Sequence, residues 1–383
     1  MPLFCSKTAL FGGFEGGFSY KTDKSALACP DKTEVADFVR LRVQSFKELI
    51  YKIMLFFMKY GDIIKLKKEE RIMDTYAREI LNLLKNRYLN LFGDHAFSNV
   101  SEMQSYWLQN YEDNLIHPMD KTVQEAYEKG AGKEISSGKI GALKSSSALT
   151  YNLFWNQCAN ITSNKYSIGI GRYAVEFEKR YRTLRTSNFP AHLDAFLYSE
   201  ETKEAVACEM KMTEWIFNSP GNLRVSYLDA NNYVDAYAGE IFSDTARKFI
   251  GRPICGKNGE VIEYNSNFQN YDAFQMFKHT VALYRMCMER DCDIRKLTLL
   301  NCAWTLSTPD VISDIVARQK YTATWNTEIN EFDRFTTEMH PIKELFHSEL
   351  GIDFEIRMCT FAELLGMIEK EPEELAYLAR YFI

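Results

Sequence analysis

The sequence predicts an α/β protein, a mixed sheet covered by helices, with a helical region ahead of it. Three observations predict this. Apolar residues recur at spacings of three and four through the front third. Strict alternation marks residues 173–182, with Tyr173, Val175 and Phe177 on one side and Ala174, Glu176 and Glu178 on the other. Further on, a long helical pattern over 271–290 is followed by a strand-like apolar run, KLTLLNCAWTL, over 296–306.

Taken in order, residues 1–32 read as loop: FGGFEGGF is rich in Gly and Phe and has no period. A helix starts at Thr33, a candidate N-cap, and carries Val35, Phe38, Val39, Phe46, Leu49, Ile50, Ile53 and Phe57 on one face until Gly61 and Asp62 break it. A second helix runs near 69–92 through Ile72, Tyr76, Ile80, Leu83 and Leu84, closed by Gly93, and a third is expected over 100–111. Lys65, Lys67 and Lys68 read as a solvated face. The segment KGAGKEISSGKIGALK (129–144) is loop-like; it is no phosphate loop, because Glu134 follows Gly132–Lys133 and Tyr127 stands where the first loop glycine belongs. These features divide the chain into a helical N-terminal region, 1–130, and an α/β domain, 131–383.

Beyond Ser145 the texture changes. Ser147 can cap a helix through about Cys158. Strands are predicted at 173–182, 192–199 (HLDAFLYS) and 205–212 (AVACEMKM), the last two joined by a polar SEETKE turn. The helix over 271–290 and the strand over 296–306 follow. A helix near 328–349, a strand at 353–359 and a helix from Thr360 complete the order.

Composition narrows the function classes. The chain has 383 residues, 46% hydrophobic and 26% charged, which excludes a disordered or fibrous protein. A formal charge of -6 gives no global basic field, so nucleic-acid binding needs a local patch. The nine cysteines form no CxxC pair and are odd in number, the pattern of free thiols in a reducing cytoplasm. The apolar run Ile53–Met58 is far short of the ~20 residues a membrane span needs, so no membrane partner is expected.

The residues that carry chemistry are Asp194, Glu209 and Lys211. Glu209 and Lys211 stand two apart in one strand and therefore share a face. A hairpin brings Asp194, on the preceding strand, beside Glu209. Charges within the apolar run AVACEMKM are costly unless paired or bound to metal, and two neighbouring carboxylates repel each other. A hard divalent cation removes both problems, and Mg²⁺ is commonly held by one or two carboxylates. The metal polarises a phosphoryl oxygen, while Lys211 orients or helps deprotonate an attacking water and stabilises the developing charge. Phosphodiester hydrolysis uses this combination.

Asp194, fourteen residues, then Glu209–Met210–Lys211 resembles the signature of the PD-(D/E)xK nuclease superfamily. The Pro-Asp dipeptide is absent: Pro190 lies four residues before the aspartate, and His192–Leu193 directly precede it. The predicted order of helix, strands, helix and strand over about 145–310 is similar to that family's restriction-endonuclease-like αβββαβ core. The SSSALTYNLF helix, Phe177–Glu178, Gln275 and His279 match features of its bacterial members. The resemblance implies a Mg²⁺-dependent DNA endonuclease, with Mn²⁺ as a substitute metal. Asp194 and Glu209 would bind the metal, the Met210 carbonyl would add a ligand, and Lys211 would assist the water.

Secondary candidates carry bland alternatives. Glu178 is either a third metal ligand or a partner for Arg180 or Arg182. Glu214 either orients Lys211 or is a surface acid. Gln275 and His279, four apart on one helix face, either touch substrate or pack against the sheet. Lys165, Arg172, Lys179, Arg180, Arg182 and Arg185, interleaved with Tyr166, Tyr173 and Tyr181, form a local basic stretch that suits a DNA or RNA backbone or an ordinary strand edge. A homodimer stays open. Competing readings are a catalytically silent nuclease-fold DNA-binding or scaffold protein, and an enzyme acting on a small phosphate ester.

Overall fold

The computed structural model describes residues 75–383 apart from 100, 102, 131, 188, 218 and 290–292. The helix expected from Thr33 and the lysines at 65, 67 and 68 lie outside the described residues. The elements below all belong to one compact unit, Met73–Ile383.

In chain order these are α1 (Thr75–Phe92), α2 (Lys121–Lys129), α3 (Ser146–Phe154), β1 (Cys158–Ile161), β2 (Gly171–Tyr181), β3 (Ala191–Ser199) and β4 (Glu204–Lys211). Then come α4 (Glu214–Phe217), β5 (Asn222–Arg224), α5 (Ala236–Arg247), β6 (Ile250–Cys255), β7 (Val261–Ser266), α6 (Ala273–Glu289) and β8 (Lys296–Ala303). The last are α7 (Ile315–Glu338), α8 (His340–Leu350), β9 (Asp353–Thr360), α9 (Phe361–Leu365) and α10 (Pro372–Leu378).

The protein is α/β. Its main sheet has six strands in the order β1-β2-β3-β4-β8-β9, antiparallel up to β4 and parallel from β4 to β9. A parallel pair buries both faces, which is why β4 and β8 are nearly continuous apolar runs. Helices cover both sides. One core joins α1, α2 and α3 to one sheet face through Ile80, Leu84, Tyr127, Leu149, Phe154 and Met210. The other joins α5, α6 and α8 to the opposite face through Phe242, Phe277, Leu283, Phe346 and Leu299. Ser145, rather than Ser147, caps α3 by accepting from the Ala148 N–H at 3.1 Å.

Some expectations are corrected. The described residues of 100–111 hold no α-helix. Met103–Tyr106 is a 3₁₀ turn, and Trp107 and Leu108 are drawn into bridges to Ala142 and Phe97. The helix expected near 328–349 is two helices: α7 begins earlier, at an Asp314 cap, and the chain breaks at Met339, because Pro341 lacks an N–H and suits only a first helical turn. Strand β1 and the small sheet β5-β7-β6 have no counterpart in the sequence reading. Their strands are short or largely solvent-facing, so the apolar alternation is weak.

Two thirds of the way along β2 the alternation slips. Phe177 joins the first core and Tyr181 the second, though both are odd-numbered; on β3, Ala195 and Leu197 join the first core, Ala191 and Leu193 the second. The slip falls at Glu178, whose φ is +47°. Glu178 and Asp194 are also the positions missing from the β2–β3 ladder, between Phe177↔Ala195 and Lys179↔Leu193. A non-glycine residue in the left-handed region costs on the order of 1–3 kcal/mol and tends to mark a functional site.

Among the described residues no helix is long and apolar enough to cross a membrane. The six described cysteines are free thiols.

Candidate functional site

The same irregularity assembles the candidate site. The pairs flanking the slip set Glu178 opposite Asp194. Continuing the β3–β4 register one step past Ala195↔Cys208 sets Asp194 opposite Glu209, and Glu209 pairs with Asn301 on β8. Glu178, Asp194, Glu209 and Asn301 thus form one row across four strands.

Each predicted side chain has a defined place. Asp194 accepts the Met210 N–H on Oδ2 at 2.7 Å. Glu209 Oε1 accepts from Lys211 Nζ at 2.7 Å and from Gln275 Nε2 at 2.6 Å. Lys211 Nζ also donates to Gln275 Oε1 at 2.6 Å, closing a triangle of three side chains from β4 and α6. Gln275 is held by the start of α6, where its own N–H donates to Asp272 Oδ1 at 3.0 Å. One turn further, His279 Nε2 lies 2.9 Å from Glu209 Oε2, without the alignment of a hydrogen bond. The Glu209 side chain is 3% exposed and that of Lys211 15%, so solvent reaches the group from the lysine side.

The electrostatics divide the carboxylates. Burial alone would raise the Glu209 pKa, but Lys211 and His279 outweigh it and hold it at about 2. Burial, then the charges of Glu209 and Glu178, push Asp194 well above the ordinary aspartate value, against the pull of Lys211 and the Met210 N–H. Glu178 is raised as well, by burial, with His192 opposing. Burial works against the Lys211 charge, yet Glu209, Glu214, Asp272 and Asp194 keep its pKa above the usual lysine value. Lys211 is therefore a firmly held cation.

The donor set fits a hard cation. It is oxygen-rich, one of its carboxylates is driven toward protonation by its neighbours, and Glu209 Oε2 is buried without an aligned hydrogen bond. As the side chains stand, no group of three or more His, Cys, Asp or Glu converges at metal-ligating spacing among the described residues. Asp194 and Glu209 are the residues that would hold such a cation, with Glu209 Oε2 as the oxygen that Lys211 and Gln275 leave free.

The remaining candidates sort by position. Glu178 Oε2 lies 3.8 Å from His192 Nδ1, and a β-carbon at Gly130 would stand only 2.8 Å from that oxygen. Neither Arg180 nor Arg182 pairs with Glu178; Arg180, near the end of β2, and Arg182, just beyond it, are exposed and make no ion pair among the described residues. Glu214 accepts the backbone N–H groups of Met212 at 2.6 Å and Thr213 at 2.9 Å, which fixes the turn after β4. Lys179 of the basic stretch is paired with Glu176.

A cleft of about 310 Å³ opens beside this group, walled by Lys211, Gln275, Asn301, Tyr271, Trp215 and Glu328 among others. Sequence reasoning missed Glu328 and Asn301. Glu328 is 2% exposed on α7, and burial, with the Glu331 charge, pushes its pKa up to about 8, against Lys211. Neighbouring Glu331 ties the loop before α6 to α7, accepting the N–H groups of Gln269, Asn270 and Tyr271 at 2.6, 2.9 and 3.0 Å. No sequence signal distinguishes Glu328 from the other acids of the same helix, Glu331, Asp333 and Glu338. Asn301 carries a sequence signal, as an amide within the largely apolar run of β8.

Compared with known proteins, the chain matches no family model, no curated protein and no solved structure.

Proposed function

We propose that the protein is a divalent-metal-dependent nuclease of the PD-(D/E)xK type, most simply a DNA endonuclease using Mg²⁺ or Mn²⁺. The observation that carries the reading is the row of Glu178, Asp194 and Glu209 across adjacent strands, with Lys211 anchored two residues beyond Glu209. With β1 and the segment from α4 to β7 set aside, the order α3–β2–β3–β4–α6–β8 agrees with the αβββαβ order expected of a restriction-endonuclease-like core and supports the reading.

In this reading Asp194 and Glu209 hold the cation, with the Met210 carbonyl and Glu178 as further oxygen donors. The cation supplies Lewis-acid polarisation of a phosphoryl oxygen. Lys211 presents a fixed positive charge to the phosphate. Its raised pKa makes it an electrostatic and orienting group rather than a base. Gln275 fixes the ammonium and the Glu209 carboxylate relative to each other, and His279 backs the second carboxylate oxygen. Arg180 and Arg182 are solvent-facing cations suited to a nucleic-acid backbone. A cytoplasmic setting belongs to the same proposal.

One observation favours a second reading, a nuclease-fold DNA-binding or scaffold protein without cleavage: Lys211 and Gln275 already occupy Glu209 Oε1. A screen of Mg²⁺ and Mn²⁺ on supercoiled, linear and single-stranded DNA and on RNA decides. Metal-dependent cleavage lost in Lys211→Met supports the nuclease. Binding of DNA without cleavage in either metal supports the second reading.

A further inference from the structure

We infer that the cavity at the start of α3 is an anion site that holds a phosphate of the DNA strand, next to the phosphate that Lys211 faces. The inference rests on the nuclease reading, which supplies the strand.

The cavity has a volume of about 420 Å³, and Lys139, Lys144, Ser145, Ser146 and Ser147 are on its wall. The Ser145 hydroxyl is taken up by its cap, accepting the Ala148 N–H. The next two residues are not so engaged. The backbone N–H groups of Ser146 and Ser147 have no acceptor among the described residues, as the first turn of a helix leaves them. Ser147 is 7% exposed, and its hydroxyl has no partner among the described residues either, yet that oxygen is not sealed from solvent. Lys144 makes no ion pair or hydrogen bond among the described residues. Its Nζ stands 5.8 Å from the ring centre of Phe217, another wall residue, which places the ammonium at the cavity. Burial lowers the Lys144 pKa, against the Glu214 charge, as befits a cation short of a counter-charge.

Unpaired N–H groups at a helix N-terminus, a hydroxyl and an ammonium together form the donor set of a tetrahedral oxyanion. Two glutamates on the same wall limit its charge. The Glu214 carboxylate is turned to the N–H groups of Met212 and Thr213, and burial raises the Glu134 pKa, against Lys139. Set against two lysines, they suit the single charge of a phosphodiester better than the several charges of a triphosphate. Glu214 also walls the cleft beside Lys211, so cavity and cleft meet at the turn after β4. A strand with one phosphate at Lys211 thus sets a neighbouring one at α3. Such a contact positions the strand without reading its sequence.

The test is an anisotropy titration of the full chain with labelled duplex and single-stranded DNA, in the presence of a chelator and over a series of salt concentrations. Lys144→Met is expected to bind DNA about tenfold more weakly than the parent, with a slope of log affinity on log salt shallower by about 0.7–0.9, the share of one phosphate contact. Lys144→Arg should stay within a few-fold of the parent. Ser147→Asp puts a carboxylate where the phosphate would sit and should also lose about tenfold; a helix N-terminus favours a carboxylate, so this variant keeps the fold if Lys144→Met does not, as judged by circular dichroism. At matched ionic strength, inorganic phosphate should displace DNA from the parent. The inference is overturned if the full chain binds no DNA, or if the folded variants keep the parent's affinity and slope. Calorimetric binding of inorganic phosphate that depends on Lys144 but leaves DNA affinity unchanged gives the cavity to the free anion and overturns it too. The titration needs neither metal nor turnover. A protein that binds DNA through Lys144 and never cleaves therefore defeats only the nuclease reading, and a cleaving protein whose variants bind like the parent defeats only this site.

Discussion

The backbone N–H of Met210 donates to the Asp194 carboxylate across 2.7 Å, just past the last β3–β4 ladder pair at Ala195↔Cys208. A side chain thus carries on the connection between the strands at the point where the alternation of β3 slips. Asp194 is both a structural tie and a member of the acidic row.

The two roles separate by substitution. Asp194→Asn keeps an acceptor for Met210 and is expected to leave stability within about 1 kcal/mol of the parent. Asp194→Ala leaves the Met210 N–H unpaired and is expected to cost about 1–3 kcal/mol in urea unfolding. Both variants should lose metal-dependent cleavage. An Asp194→Asn protein that cleaves like the parent removes the carboxylate from the mechanism.

The Lys211–Glu209–Gln275 triangle predicts graded effects. Lys211→Met removes the fixed cation and should lower the cleavage rate at least about a hundredfold. Gln275→Leu leaves both charges in place but frees them to move, so a smaller loss is expected, about tenfold, with about 1–3 kcal/mol of stability lost. Single-turnover rates on plasmid DNA and thermal melts of the same preparations give both numbers.

Glu328 predicts a pH dependence. Its pKa is about 8 in the folded chain against 4.5 as the ordinary value. Between those values the unfolded chain has released the proton and the folded chain has kept it, so stability falls as pH rises from about 4.5 to 8 and levels off above. Glu328→Gln abolishes this contribution. The variant should gain on the parent by up to a few kcal/mol between pH 5 and pH 8.5, measured by denaturant unfolding. A parent and variant that track each other across the range would show that Glu328 is not held neutral.

Gly239 tests the packing of α5. A β-carbon there would run into the backbone carbonyl of Ala230, which cannot swing aside as a side chain can. Gly239→Ala should therefore destabilise by about 1–3 kcal/mol.

What the sequence reveals follows from its periodicities. Glu209 and Lys211 can be assigned to one face because strand alternation is local, and Gln275 and His279 to one helix face because helical spacing is local. The pairing of Glu178 with Asp194 is different. It depends on a left-handed residue within β2 that alternation does not anticipate, since a strictly regular strand would put Glu178 on the face opposite to Phe177 without any slip. Glu328 is hidden for another reason. It is one of several acids along α7, and only the approach of α7 to the loop at 269–271 buries it. The sheet of β5, β6 and β7 is obscured because its strands keep much of their surface in solvent and show little apolar pattern.

The most direct measurement is a calorimetric titration of the full chain with Mn²⁺, run in parallel on Asp194→Asn. If Asp194 and Glu209 share a cation, the parent should show saturable binding that weakens at least about tenfold in the variant, the loss of roughly 1.4 kcal/mol. Equal heats and equal affinity in both proteins would contradict it.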